Sequence, residues 1–144
     1  MNWATDRLDA LKSGTAIPVP VVRTLRLGLL DDWGPGWARK RWQPHDDVLN
    51  GDGSLFGGYI AALADQMLAF AAMSVLPDDC GFRTINLQVQ FFRVGQAHPL
   101  LIESRVVAQS GSLISVICDF RREDETLIAA ASAQQMIVPV AKPG

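Results

Sequence analysis

The sequence predicts an α+β domain in which an antiparallel sheet curls around one long helix. Three observations support this prediction. One apolar helical segment runs from 57 to 76 and contains only Asp65, Gln66 and Ser74 as strongly polar residues. Four later segments follow the two-residue period of strands and are separated by short turns. The length of 144 residues suits one domain with its own core.

The chain is assigned to a single domain, 1–144, that begins with a helix and a linker. Thr5 can cap a short helix over residues 6–13. Two prolines then break the chain, because proline removes a backbone donor and fixes φ. Residues 1–20 therefore form the N-terminal helix and linker, and residues 21–138 form the core.

Two strands are predicted before the long helix, at Val21–Leu29 and Trp37–Trp42. The stretch 31–36 between them is rich in Asp, Gly and Pro, which are turn residues. A long loop, 44–56, follows and ends where the helix begins. Loops of this length are often functional, so we expect the loop to contribute to a site.

Four strands are predicted after the helix, near 82–93, 99–109, 113–121 and 126–137. The short turns between them indicate an antiparallel meander. Because the helix is apolar on every side, the sheet must curl around it. A sheet covers only part of a helix, and a second copy of the chain is the simplest cover for the rest.

Charge and composition exclude several classes of protein. The net charge of −2 and the pI near 5.6 give no electrostatic footprint for DNA or RNA. The N-terminus lacks the basic and then apolar layout of a signal peptide, so a cytoplasmic location is expected. The two cysteines are expected to be reduced.

A membrane span and a metal site are also not expected. Asp65 near the middle of the apolar segment would cost about 2.5–3.5 kcal/mol in a bilayer, so a helix buried in protein explains the segment better. The two histidines, His45 and His98, lie far apart beside prolines with no third ligand in view. No metal and no resident cofactor are predicted.

The long helix separates bulky residues from small ones. Ile60, Leu63, Met67 and Phe70 share one stripe and should pack on the sheet. The other side holds small residues and one carboxylate: Gly58, Ala61, Ala62, Asp65, Ala69 and Ala72. A buried acid costs stability, which suggests that Asp65 has a function. A structural acid bonded to a neighbour is the alternative, and composition leaves both open.

Gly57 and Gly58 at the helix start form a second candidate feature. The first amides of a helix have no partner within it, and the helix dipole is positive there. Such a position can stabilise a developing oxyanion. The alternative is that the two glycines only join the loop to the helix.

The order of these residues resembles the hotdog-fold acyl-CoA thioesterases of the phenylacetate-pathway type. Asn50, Gly53, Phe56-Gly57-Gly58 and Leu63-Ala64-Asp65 follow that family's spacing. The stretch 83–93 is similar to its threonine-containing strand, which ends in Phe-Leu-Arg. The resemblance covers about residues 45–138.

The resemblance implies a hotdog fold, with an antiparallel sheet wrapped around the central helix, and a homodimer that can pair again into a homotetramer. It places the active site at the dimer interface. Asp65 would be the nucleophile or general base. The amide of Gly57 or Gly58 would polarise the thioester carbonyl, Asn50 would orient the carbonyl or a water, and the partner's Thr84 would lie near Asp65.

The implied substrate is an acyl or aryl thioester of coenzyme A, with coenzyme A present only as part of the substrate. Phe56, Ser54, Thr84 and Arg93 are assigned to substrate binding. Arg93 is included because an arginine at a strand end can meet a phosphate of coenzyme A. The acyl group, and the choice between coenzyme A and protein-bound pantetheine, stay open.

The sequence departs from the family pattern at Phe56, where that family has histidine. This change favours an alternative in which a hotdog dimer binds an acyl thioester or an apolar ligand without hydrolysing it. Asp65 on its small-residue face argues against that alternative. A hydratase would need a histidine paired with an acid, and no histidine lies near the helix start.

Overall fold

The computed structural model describes residues 2–140, which form three α-helices and six strands. A short 3-10 turn, Asp46–Val48, lies in the loop before the long helix. The helices are α1, Trp3–Ser13, α2, Pro20–Leu25, and α3, Gly57–Met73. The strands are β1, Asp32–Gly34, β2, Trp37–Trp42, β3, Cys80–Phe91, β4, Leu100–Ser110, β5, Leu113–Arg122, and β6, Leu127–Pro139.

The strands form one antiparallel sheet in the order β1-β2-β4-β5-β6-β3, and this sheet packs around α3. The predicted hotdog architecture is therefore confirmed. The stripe of bulky residues on α3 faces the sheet, with Leu63 and Met67 fully buried. They meet buried side chains from the central strands, such as Ile114 and Phe120. Each buried side chain of this kind contributes about 1.5–3 kcal/mol.

The prediction of a four-strand meander is wrong in one respect. Strands β4, β5 and β6 are consecutive neighbours, but β3 pairs with β6 and not with β4. The segment after β3 does not turn back, because Gly95 accepts a hydrogen bond from the Leu55 amide at 2.9 Å. A Cβ on Gly95 would lie 2.9 Å from Leu55 Cδ1. The chain thus passes the loop before α3 on its way to the far side of the sheet.

The start of α1 differs from the predicted one. Asn2, and not Thr5, caps the helix, and its Oδ1 accepts hydrogen bonds from the amides of Ala4 (2.9 Å) and Thr5 (3.2 Å). Because the cap lies three residues earlier, it satisfies the free amides of an earlier turn, and the helix is longer by that turn. Ala4 and Leu8 of α1 are fully buried in the same core as α3.

The predicted strand Val21–Leu29 is wrong. Pro20 begins the short helix α2, which ends at Arg26 in the left-handed region with φ 51°. Proline at the first helical position is favoured because its fixed φ suits a helix and its missing amide hydrogen is not needed there. The edge position that this strand would fill is taken by β1, which pairs with β2 through the hairpin at 34–37.

Lys40 of β2 is buried, while its neighbours Arg39 and Arg41 are exposed. Its Nζ donates hydrogen bonds to the Leu27 carbonyl at 2.7 Å and to Gln66 Oε1, while Gln66 Nε2 donates to the Gly28 carbonyl at 2.9 Å. Burial lowers the pKa of Lys40 to about 7. These bonds tie the segment after α2 to both β2 and α3.

Candidate active site

Asp65 lies midway along α3 on the side that the sheet leaves open. Its side chain is exposed in the single chain, which differs from the expectation of a buried acid. The sheet covers the opposite side of α3. Ala72, grouped with the small residues of this side, is instead fully buried.

Thr84 of the same chain lies beside Asp65. Its Oγ1 is 3.4 Å from Asp65 Oδ1 and 2.8 Å from Gln135 Oε1. A β-bulge at Ile85 interrupts the β3–β6 register next to Thr84. Bulges often re-aim a side chain at a functional site. The proximity expected of the partner's Thr84 therefore exists within one chain.

Gln135 is a residue that the sequence did not point to. It is fully buried on β6, and its Nε2 has no hydrogen-bond partner among the described residues. A 180° rotation of this amide would let Nε2 donate to Thr84 Oγ1. The single hydroxyl proton of Thr84 would then be free to point at Asp65.

Gly57 and Gly58 form the exposed N-terminus of α3. The first hydrogen bonds of the helix run from the amides of Tyr59 and Ile60 to the Phe56 carbonyl. Phe56 is the cap residue, and its side chain makes no capping hydrogen bond. The two glycine amides therefore remain available as donors at the positive end of the helix.

Two aromatic rings lie against these glycines. A Cβ on Gly58 would lie 2.8 Å from Phe56 Cε1, and a Cβ on Gly57 would lie 3.2 Å from Phe91 Cζ. Both rings are more than half exposed, at 57% and 52%. The end of β3 thus reaches the helix start, and an apolar rim surrounds the two amides. The spacing of Phe91 in the sequence gave no sign of this contact.

Asn50 and Ser54 shape the loop before α3. Asn50 Nδ2 donates to Ser54 Oγ at 3.0 Å and to the Leu55 carbonyl at 3.2 Å. Ser54 Oγ donates to Asp52 Oδ1 at 2.6 Å, and this bond lowers the pKa of Asp52. The hydrogens of both side chains are therefore used within the loop, and Asn50 Oδ1 remains as an acceptor.

Arg93 follows β3, two residues beyond the ring that touches Gly57. Its amide donates to the Ile128 carbonyl at 3.2 Å, and its side chain is exposed. The helix start, Phe56 and Arg93 thus belong to one end of the molecule. Asn50 and Phe56 also line a cavity of about 330 Å³, of mixed polar and apolar character, with Arg26, His45 and Tyr59.

The candidate residues fall into two groups that are separated along α3. Gly58 and Asp65 are seven residues apart, and a rise of 1.5 Å per residue places them about 10 Å apart along the helix axis. A hydrogen bond to one carbonyl oxygen needs about 3 Å. Asp65 and the Gly58 amide of one chain therefore cannot both contact the same reacting carbonyl.

Neither a metal cluster nor a membrane helix is found in residues 2–140. No three His, Cys, Asp or Glu side chains in this range are close enough together to hold a metal ion. No helix of this range is long and apolar enough to cross a membrane.

A model of the thioesterase superfamily matches residues 52–129, which are more than half of the chain. The chain belongs to the thioesterase superfamily. The matched range contains the helix start, Asp65 and Thr84. A search of curated protein sequences found no match.

Solved structures share this fold. A phenylacetic acid degradation-related protein from Ralstonia eutropha JMP134 is 27% identical, with a TM-score of 0.78 over 90% of this chain and 98% of that chain. A thioesterase family protein from Silicibacter pomeroyi is 18% identical, with a TM-score of 0.79 over 94% and 98%. A Streptococcus mutans UA159 protein solved with acetyl CoA is 22% identical, with a TM-score of 0.71 over 78% and 90%.

Proposed function

We propose that this thioesterase hydrolyses acyl-CoA to a free acid and coenzyme A, and that two chains complete each other's sites. The observation that carries the proposal is the separation of Asp65 from the Gly57–Gly58 amides by about 10 Å along one helix. A second chain would bring its helix start to the Asp65 and Thr84 of the first. Binding of acetyl CoA by the Streptococcus mutans protein supports the choice of ligand class.

The exposed edge of the sheet supports a homodimer. Strand β3 is 12 residues long and pairs on one side only, with β6. It leaves Ile85, Leu87 and Phe91 exposed at 47%, 36% and 52%. A long apolar edge strand invites pairing with another chain and is rarely left open. Pairing along β3 would also bring the two copies of Thr84 close to the interface.

The chemistry assigns a different role to each group. The Asp65 carboxylate takes a proton from water, whose oxygen attacks the thioester carbonyl, or attacks that carbonyl itself. The partner's helix start donates hydrogen bonds from the amides of Gly57 and Gly58 to the developing oxyanion. The C–S bond then breaks, and the sulfur of coenzyme A leaves as thiolate and takes up a proton. Where Asp65 itself attacks, the product is an acyl anhydride on the carboxylate, and water hydrolyses it to the free acid. Thr84 holds the carboxylate in place.

Release of thiol from a panel of acyl-CoAs tests this function. Wild type should turn over at least one chain length, and Asp65→Asn should lose that turnover while keeping its fold. Asp78→Asn is the matched control, because it makes the same change at an exposed position beyond the far end of α3. Turnover that survives unchanged in Asp65→Asn would contradict the assignment of the carboxylate.

Mixed dimers test the sharing of sites. Asp65→Asn and Gly58→Val chains should each be inactive alone, since valine would displace the Phe56 ring. In a mixed dimer with shared sites, one site carries both changes and the other carries none. Equal mixing should therefore restore roughly a quarter of wild-type activity if the chains exchange freely. Mixed dimers that form but stay inactive would contradict shared sites, and a monomer in sedimentation would contradict the dimer.

A binding module without hydrolysis is the second candidate, and Phe56 favours it. The ring lies against Gly58, at the position where the resembling family has histidine, and offers no hydrogen bond to a carbonyl. Such a module would bind acyl-CoA in calorimetry and release no thiol. The same acyl-CoA panel therefore separates the two candidates.

A further inference from the structure

We infer that the acyl chain of the substrate lies in an apolar groove between α2 and α3, and that this groove accepts an aliphatic chain of medium length. The inference rests on the proposed function for the position of the reacting carbonyl. The groove has a volume of about 360 Å³, and Asp65 is one of its lining residues.

The floor of the groove is built from small residues on either side of the carboxylate. Ala62 precedes Asp65 by three residues and Ala69 follows it by four, so both share its face of α3. Both alanines line the groove. An acyl chain attached to a carbonyl at Asp65 would therefore lie over alanine methyl groups along the floor of the groove. In this arrangement, the small-residue face noted in the sequence leaves room for the acyl chain.

The walls of the groove are apolar and come from two parts of the chain. Val22 and Leu25 of α2 form one wall, and Phe70 and Phe82 contribute from α3 and β3. Tyr59 holds α2 in place, because its hydroxyl donates to the Leu25 carbonyl at 2.6 Å. The groove-lining residues of β3 and α3 belong to the same elements as Thr84 and Asp65.

The α2 wall has apolar surface that the single chain leaves uncovered. No residue of α2 is buried, and Val21 and Leu25 are exposed at 54% and 38%. Covering apolar surface yields about 25 cal/mol per Å². Arg7, the charged residue on the α1 side, already donates to the Ile17 carbonyl at 3.0 Å. A neutral apolar chain suits this lining better than a charged one.

The volume limits the length of the acyl chain. A cavity of about 150 Å³ holds benzene, so on the same scale 360 Å³ has room for at most roughly 14 carbons. A two-carbon acetyl group would leave most of the groove empty. The expected optimum is therefore a chain longer than acetyl and shorter than this limit.

Narrowing the floor tests the inference. Ala69→Leu should shift the preferred acyl-CoA to shorter chains and lower kcat/KM for the longest good substrate by about tenfold or more. Turnover of the shortest substrate that wild type accepts should stay unchanged. Ala61→Leu is the matched control, since it enlarges a half-buried alanine of α3 that does not line the groove. Leu25→Ala should move the preference toward longer chains.

A binding measurement separates failure of this inference from failure of the proposed function. Calorimetry with dodecanoate should show binding to wild type and to Ala61→Leu, and at least tenfold weaker binding to Ala69→Leu. Turnover with a length preference that Ala69→Leu leaves unchanged would overturn the groove while the thioesterase stands. If no acyl-CoA is hydrolysed, dodecanoate binding that Ala69→Leu removes still supports the groove, and absence of dodecanoate binding overturns it.

Discussion

The two sides of α3 differ in what they do for the molecule. The side against the sheet presents Leu63 and Met67, which are fully buried. The open side presents Asp65 between Ala62 and Ala69 and leaves the carboxylate exposed. Packing is therefore concentrated on one side of the helix and chemistry on the other. Substitutions on the open side should therefore lower catalytic activity, and substitutions on the packed side should lower the free energy of unfolding.

The largest expected effect comes from the open side. Asp65→Asn should lower kcat about 10²–10⁴-fold, because a general base contributes that much to proton transfer. Its free energy of unfolding should change by less than about 1 kcal/mol, since surface substitutions away from packed features rarely do more. Thiol release and urea unfolding on the same sample give both numbers. A large loss of stability would show that Asp65 also stabilises the fold, and it would contradict the separation of packing and chemistry between the two sides of α3.

The packed side should show the opposite result. Leu63→Ala should lower the free energy of unfolding by about 2–5 kcal/mol, because it removes a fully buried side chain and leaves a cavity. Leu101→Ala, the same change at a leucine that is 40% exposed, serves as the control and should cost much less. Urea unfolding of both variants tests this. Equal losses at the two sites would contradict the central role of α3 packing.

The sequence predicts the packed side much better than the open one. The 3.6-residue spacing of Leu63 and Met67 and the two-residue period of the later strands arise from burial, so both patterns are visible in the sequence alone. The strand prediction for Val21–Leu29 was wrong because the alternating pattern of this segment suits a strand, whereas Pro20 starts a helix there. Such a choice depends on which other segment fills the sheet edge, and local sequence does not contain that information.

The candidate site divides in the same way. The sequence alone predicts three of the site residues, Asp65, Gly57 and Gly58, because a lone acid and a pair of glycines interrupt an apolar pattern. Gln135 and Phe91 were missed, since each looks like an ordinary strand residue until β6 and β3 are paired and β3 reaches the helix start. Long-range pairing therefore determines which of these side chains belong to the site.

A smaller effect is expected at the helix start. Gly58→Ala should lower kcat about tenfold, because the new Cβ would lie 2.8 Å from Phe56 Cε1 and displace a ring beside the donating amides. Gly57→Ala is the milder control, with a closest contact of 3.2 Å to Phe91. Steady-state kinetics of both variants test this. If the Phe56 ring is the cause, Phe56→Ala added to Gly58→Ala should recover part of the loss, and no recovery would assign the effect to the backbone.

The smallest expected effect concerns Lys40, which links the two sides of α3 through Gln66. Burial lowers the pKa of Lys40 from 10.5 to about 7 in the folded chain. Between these values the unfolded chain holds the extra proton, so the free energy of unfolding should rise as the pH increases from 7 toward 10. Below pH 7 the full cost of burying the charged amine is present. Urea unfolding at pH 7 and pH 9 should show this rise in wild type and a smaller one in Lys40→Met. Equal rises in the two proteins would mean that another group governs the pH dependence and that Lys40 stays charged when buried.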